Sequence, residues 1–298
     1  MISLQGGLIR FLLRHVNLWN RPLPELREKL AAMRGKGLPA GVRHTREALG
    51  GVPCDWLTPE GAGRGVLLYF HGGGYCLGIY DTNREFAAML AEGCGVTVLL
   101  PDYRLAPEHP FPAALEDAVR VLKALAAAPG GLGQVVVAGD SSGCGLGLAA
   151  LQRLKAEGAP MPAGLAAITP VYDLAGSGES LTRCAARDPF RMKDPLGLTR
   201  FYADGRDAAA PELSPLFGSL AGLPPLLIHG AADDVFLSDA QRCAAWAWKA
   251  GTEVTLKVWP GMWHLFPMQA PFVPEARLAV QELCAFVEGR LRPRRQIA

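Results

Sequence analysis

Gly139-Asp140-Ser141-Ser142-Gly143 has the form G-x-S-x-G. It follows an apolar run ending at Ala138 and opens a stretch rich in Ala and Leu, which predicts a sharp turn from strand to helix with Ser141 at its tip. Small residues two positions either side suit such a turn, because its backbone leaves no room for Cβ atoms. The helix start then offers free N–H groups. A serine exposed in this way is a candidate nucleophile for acyl transfer, and because a neutral hydroxyl attacks poorly it needs a general base.

Six histidines are available: His15, His44, His71, His109, His229 and His264. In an open parallel sheet the chemistry gathers beyond the C-terminal ends of the strands, and behind a nucleophile of this kind the chain order is serine, acid, histidine. His264 fits, since the turn Trp259-Pro260-Gly261-Met262-Trp263 after the last strand carries it back over the sheet. His229 closes a strand and reads as a core or rim residue; His15 and His44 precede the sheet and read as structural. The acid should leave the preceding strand. There Gly230-Ala231-Ala232-Asp233-Asp234-Val235 offers Asp233 and Asp234, which spacing alone does not separate, while Asp239 reads as a cap of the following helix. Acyl transfer also needs donors aimed at the developing oxyanion. His71-Gly72-Gly73-Gly74, after its own strand, supplies backbone N–H groups without side-chain obstruction, and the N–H of Ser142 completes the set.

The elements that must hold these residues alternate from about residue 43 onward. Arg43–Leu49 and Val52–Leu57 flank Gly50-Gly51 as a hairpin. Strands are predicted at Val66–Phe70, Val96–Leu100, Val135–Ala138, Leu165–Ile168, Pro225–Ile228 and Val254–Val258, most of them continuous apolar runs, as strands buried on both faces are. Helices are predicted at Asp81–Glu92, Pro112–Ala128, Ser142–Glu157, Ser238–Ala250 and Pro274–Leu291. The expected class is α/β: a mostly parallel eight-stranded sheet with helices on both faces. Residues 1 to about 45 are helical and precede the sheet, and about 171–215 form a connection long enough to act as a lid or cap. The whole chain, 1–298, reads as one domain.

Composition excludes several classes. With 298 residues, half of them apolar and 19% charged, a folded core is expected and disorder is not. Thirty basic against 28 acidic residues, scattered along the chain, leave no footprint for nucleic acid or an anionic membrane. The basic tail Arg290 to Arg295 reads as a solvated helix end. No segment has the roughly 18–20 uninterrupted apolar residues of a spanning helix, so no stable membrane insertion is expected. At the N-terminus, Leu4, Leu8, Phe11, Leu12, His15, Val16 and Trp19 mark an amphipathic helix rather than a signal peptide. Seven cysteines without a C-x-x-C pair encode neither a disulfide framework nor a zinc site, and reduced thiols in a cytoplasm are the expectation. There is no Walker A loop, H-E-x-x-H or EF-hand loop, so no nucleotide, metal or other cofactor is expected. Gly145-Leu-Gly147-Leu-Ala-Ala150 has a dinucleotide-like form but lies inside a helix, where it serves packing; Cys144 is assigned to packing as well.

His71-Gly-Gly-Gly74, Gly139-Asp-Ser-Ser-Gly143 and Tyr103-Arg-Leu-Ala-Pro-Glu-His-Pro-Phe-Pro-Ala-Ala-Leu-Glu-Asp117 together resemble the hormone-sensitive lipase family of esterases, the bacterial family IV branch. The resemblance runs from about Leu67 to Phe266. It implies an α/β-hydrolase fold, a cap built from the N-terminal helices and the segment before the seventh strand, and a homodimer through the last strand's edge. It also implies that Asp234 is the acid, through Ala231-Ala232-Asp233-Asp234-Val235-Phe236-Leu237-Ser238-Asp239, and that Gly73 and Gly74 are the oxyanion donors beside Ser142, with Gly72 shaping the turn. Ser142 stands where members commonly carry Ala, which leaves the backbone donor unaffected and gives a hydroxyl to touch the substrate or the acyl pocket, and Ala231 displaces the first glycine of the acid loop. Arg104, Glu108 and Asp117 read as a buried ion-pair scaffold, with Asp140 in a similar supporting part.

The expected function is a serine carboxylesterase acting on small-molecule esters of short to medium acyl length, a preference that rests on the resemblance. The alternatives are an amidase or deacetylase using the same residues, or a non-catalytic small-ligand receptor. Phe11, Trp19, Tyr75, Met192, Phe201 and Tyr202 are the candidate substrate-binding residues.

Overall fold

The computed structural model describes residues 2–63 and 65–291. Two helices, α1 (Leu4–Arg14) and α2 (Leu23–Ala32), come first, followed by the hairpin of β1 (Val42–Leu49) and β2 (Val52–Pro59). Then β3 (Val66–Phe70), α3 (Asp81–Cys94), β4 (Thr97–Pro101), α4 (Ala113–Ala127), β5 (Val135–Asp140), α5 (Ser142–Ala156) and β6 (Gly164–Ile168) alternate. A long connection carries α6 (Ser180–Arg183) and α7 (Gly197–Ala203), and β7 (Leu226–Ala231), α8 (Leu237–Lys249), β8 (Val254–Trp259) and α9 (Pro274–Leu291) complete the fold. The strands form one eight-stranded sheet in the order β1-β2-β4-β3-β5-β6-β7-β8, antiparallel from β1 to β4 and parallel from there on.

Every expected strand is present, within three residues at each boundary. The central strands are read correctly because they are apolar on both faces: all six residues of β5 are buried. Val135 and Val137 point into the apolar layer formed with α4, α5 and α8, and Val136 and Ala138 into the layer formed with α3 and α9. Each such side chain contributes roughly 1.5–3 kcal/mol by leaving water, so the sheet's middle is the most heavily stabilised part of the molecule. β5 and β7 run two and three residues past their predicted ends, through Gly139-Asp140 and through His229-Gly230-Ala231. There the parallel ladder continues, Asp140 opposite Ile168 and Ala231 opposite Trp259, and overrides the polar and glycine residues that reading by hydropathy takes for loop.

The N-terminal helices are tied down by side chains. Ser3 caps α1 by accepting the Gly6 N–H at 3.0 Å and donates its own N–H and hydroxyl to Glu275 of α9. Arg27 of α2 forks onto Glu108 and donates to the carbonyls of Cys76 and Ala106. Glu108 is therefore a half-exposed anchor for α2 rather than a buried scaffold residue, its carboxyl held down to about 2 by Arg27. Arg104 does grip buried Asp117, at 2.8–3.0 Å. From residue 292 onward the basic tail lies outside the described residues. No described helix is long and apolar enough to cross a membrane.

Candidate active site

Ser141 sits between the end of β5 and the start of α5, with φ 50° and ψ −123°. A non-glycine residue rarely adopts this backbone, and here the neighbours enforce it: Ser141 N–H donates to the Ile168 carbonyl and its own carbonyl accepts the Val171 N–H, both at 3.0 Å. The small residues expected on either side are required by contact. A Cβ at Gly139 would lie 2.7 Å from the Phe70 carbonyl oxygen, and one at Gly143 would lie 2.0 Å from the same atom. Cys144 faces inward, its thiol on the Gly139 carbonyl, and serves packing as expected.

His264 follows β8, and its loop is fixed by Leu265, whose N–H donates to Thr169 Oγ1 at 3.1 Å. The imidazole Nε2 lies 3.0 Å from Ser141 Oγ and Nδ1 lies 3.1 Å from Asp234 Oδ2. A carboxylate only accepts, so Nδ1 carries the proton and Nε2 is left to accept the serine hydroxyl. The other Asp234 oxygen takes the Phe236 N–H at 2.9 Å. Spacing left Asp233 and Asp234 open, and the geometry separates them: Asp233 turns away to pair with Arg10 of α1 at 2.5 Å. His264 is buried, which by itself pulls an imidazolium down. Asp234, then Asp188 and Asp140, outweigh that and hold it above its ordinary value.

Two buried carboxylates depart from the reading of the sequence. Asp239 does not cap its own helix; it accepts the N–H groups of Tyr172 and Asp173 at 2.7 and 2.9 Å and pairs with Arg242, and burial pushes it up to about 7. Asp188 was missed altogether. It is 1% exposed, accepts the Phe190 N–H at 2.9 Å through Oδ1, and its Oδ2 has no hydrogen-bond partner among the described residues. Burial, with the charge of Asp234 added to it, pushes Asp188 upward. No motif marks it, because it arrives from the long connection.

The glycine loop divides its amides. Gly72 donates to Asp140 Oδ1 at 3.0 Å, so it is not an oxyanion donor; a Cβ there would meet Asp140 Oδ2 at 2.3 Å. Asp140 also accepts the Tyr69 hydroxyl at 2.7 Å and is pushed up to about 6 by burial. The Gly73 and Ser142 N–H groups have no acceptor among the described residues, whereas Gly74 N–H donates to Ser142 Oγ at 2.8 Å. His71 is fully buried, stacks on Tyr103 at 4.3 Å, and is pulled down to about 4 by burial, which keeps it neutral and supporting.

Ser141, Ser142, Gly73, Gly74 and His264 open into one apolar cleft. Of the residues named from sequence, Trp19 and Met192 line it. Phe11 and Phe201 do not: they are 59% and 46% exposed, on the outward faces of α1 and α7. Tyr75 and Tyr202 stack on each other at 3.9 Å in the core behind the cleft wall. Phe190, Leu198, Thr199 and Phe236 line it and were missed; Phe190, Leu198 and Thr199 belong to the long connection, which carries no motif. Among the described residues no group of three His, Cys, Asp or Glu side chains could hold a metal ion.

The chain that carries this cleft has relatives of known activity and structure. Residues 67–268 match the family described as alpha/beta hydrolase fold. An acetyl-hydrolase of Streptomyces hygroscopicus is 40% identical over 84% of this chain and 83% of that protein. An esterase of Acinetobacter venetianus is 32% identical over 80% and 79%. The crystal structure of a hormone-sensitive lipase from a metagenome library superposes with a TM-score of 0.92 at 37% identity, covering 98% of this chain and all of that one. The chain is a carboxylic-ester hydrolase and belongs to the hormone-sensitive lipase family of esterases in the α/β-hydrolase superfamily.

Proposed function

We propose that the protein hydrolyses short to medium acyl esters through a covalent acyl-enzyme on Ser141. Ser141 attacks the ester carbonyl while His264 Nε2 takes its proton, and His264 then returns that proton to the leaving alkoxide. Asp234 holds the imidazole in the acting tautomer and stabilises its charged form. The N–H groups of Gly73 and Ser142 receive the negative charge that develops on the carbonyl oxygen. Water repeats the sequence to release the acid. The observation that carries this reading is the unbroken chain from Ser141 Oγ through His264 to Asp234, at 3.0 and 3.1 Å. The segments that hold Trp19, Phe190, Met192 and Leu198 act as a cap, and their apolar surface suits an acyl chain better than a charged substrate.

Hydrolysis of p-nitrophenyl acetate, butyrate and octanoate by wild type, Ser141→Ala and His264→Ala tests it. Loss of about 10⁴-fold or more in kcat in both variants is expected, with activity falling from butyrate to octanoate. Turnover that survives in Ser141→Ala would overturn the assignment.

A further inference from the structure

Ser142 brings two donors to the cleft. Its N–H belongs to the first turn of α5 and has no acceptor among the described residues. Its hydroxyl oxygen accepts the Gly74 N–H at 2.8 Å, and the hydroxyl proton has no acceptor among the described residues. The residue is 1% exposed and lines the cleft with Ser141, Gly73, Gly74 and His264. A hydroxyl that accepts through one lone pair still has its proton to give. Leaving a buried donor unmatched is unfavourable, and an acceptor that enters the cleft would match this proton.

We propose that the Ser142 hydroxyl is a catalytic oxyanion donor that acts in place of the Gly74 amide. The inference rests on the acyl-enzyme reading above. As Ser141 Oγ bonds to the carbonyl carbon, the π pair moves onto the carbonyl oxygen and the Ser141 proton goes to His264. The new oxyanion then receives three hydrogen bonds, from Gly73 N–H, Ser142 N–H and Ser142 O–H. No proton leaves Ser142. The Gly74 N–H strengthens the hydroxyl as a donor by binding its oxygen, since hydrogen bonds in a chain polarise one another. When the intermediate collapses, the pair returns to the carbonyl and the alcohol leaves with the His264 proton. The opposing possibility is that the hydroxyl oxygen fills the hole and must be displaced, and the two differ in sign.

Ser142→Ala decides between them. It removes the hydroxyl and frees the Gly74 amide to take over part of its work, so the loss is smaller than the 10²–10³ of an irreplaceable donor. The expected result is a fall of roughly threefold to tenfold in kcat on p-nitrophenyl acetate with KM unchanged, the pattern of an interaction made in the transition state. An aryl trifluoromethyl ketone, which forms an oxyanion on Ser141, should bind more weakly by a similar factor. If Ser142→Ala is poorly folded by circular dichroism, Ser142→Cys, whose thiol donates weakly, should give the same loss. A kcat equal to or above wild type would overturn the proposal. Labelling of wild-type Ser141 by a fluorophosphonate is measured in parallel: no labelling would remove the acyl-enzyme reading itself, whereas labelling with an unaffected Ser142→Ala removes this inference alone.

Discussion

The two walls of the cleft are built by different means. The wall that carries the proposed nucleophile and base comes from short turns at the C-terminal ends of β3, β5, β7 and β8, and Ser141, Asp234 and His264 are all buried there. Its geometry is inherited from strand pairing and from glycine contacts a few ångströms wide. The opposite wall, with Trp19, Phe190, Met192 and Leu198, comes from the turn between α1 and α2 and from the connection before β7, and these segments are fastened through a handful of polar ties. Beyond it, Leu4, Leu8, Phe11 and Leu12 of α1 stand 51–91% exposed. One wall therefore tolerates almost no displacement, while the other can change shape without unseating the chemistry. Substitutions in the first should alter folding or kcat; those in the second should alter which substrate fits.

The sharpest break of this contrast is Gly143→Ala. One added carbon would lie 2.0 Å from the Phe70 carbonyl and 2.6 Å from that of His71, and backbone on both sides cannot yield. The expected cost reaches or exceeds the ~4–5 kcal/mol that marks exceptional point mutations, a large part of a domain's whole stability. Thermal melting should show a protein that unfolds far below wild type or does not accumulate at all. A fully stable, active variant would mean the turn has slack that its contacts deny.

That same rigidity explains how much was legible. β5 and the turn after it are written in adjacent residues, so the apolar run, the glycines and Ser141 could be read together, and His264 followed from strand order. Asp234 was separable from Asp233 only through the resemblance, because the feature that distinguishes them is Arg10, 223 residues away in sequence, claiming Asp233. The other wall has no such local grammar. Of the six pocket residues proposed from sequence only Trp19 and Met192 face the cleft, since a large apolar side chain in a helix or long connection looks the same whether it meets substrate, core or solvent. Tyr75 and Tyr202 went to the core, Phe11 and Phe201 to the surface. Asp188 was invisible for the same reason: its role depends on Asp234 and His264, which only the fold brings near.

Asp188 is where the two walls touch electrically, and Asp188→Asn tests that link. The groups facing His264 are Asp234, Asp188 and Asp140, all favouring its charged form, while Asp188 itself meets Asp234 and His264. Because these carboxylates hold the His264 pKa above its ordinary value, the acid limb of kcat/KM should have its midpoint above about 6.5. The base must be neutral to act, so activity falls as pH drops through that midpoint. Asn keeps an oxygen for the Phe190 amide but removes one negative charge from the imidazolium's surroundings. The midpoint should move to lower pH by roughly half a unit to one unit, which is about 0.7–1.4 kcal/mol of lost charge stabilisation. A purely structural role would lower kcat at every pH and leave the midpoint in place.

The smallest effect belongs to the cap. Met192→Ala removes most of an unbranched, adaptable side chain from the cleft but touches none of Ser141, His264, Asp234 or the amides. Hydrolysis of p-nitrophenyl acetate, whose acyl group is too short to reach across, should keep its kcat within about twofold. For octanoate the added room should raise kcat/KM severalfold, since one methylene in an apolar pocket is worth only ~1–3 kcal/mol of discrimination. Equal losses on acetate and octanoate would show that Met192 positions the wall that carries Ser141, and the distinction between a rigid wall that reacts and a plastic wall that selects would fail at its nearest point of contact.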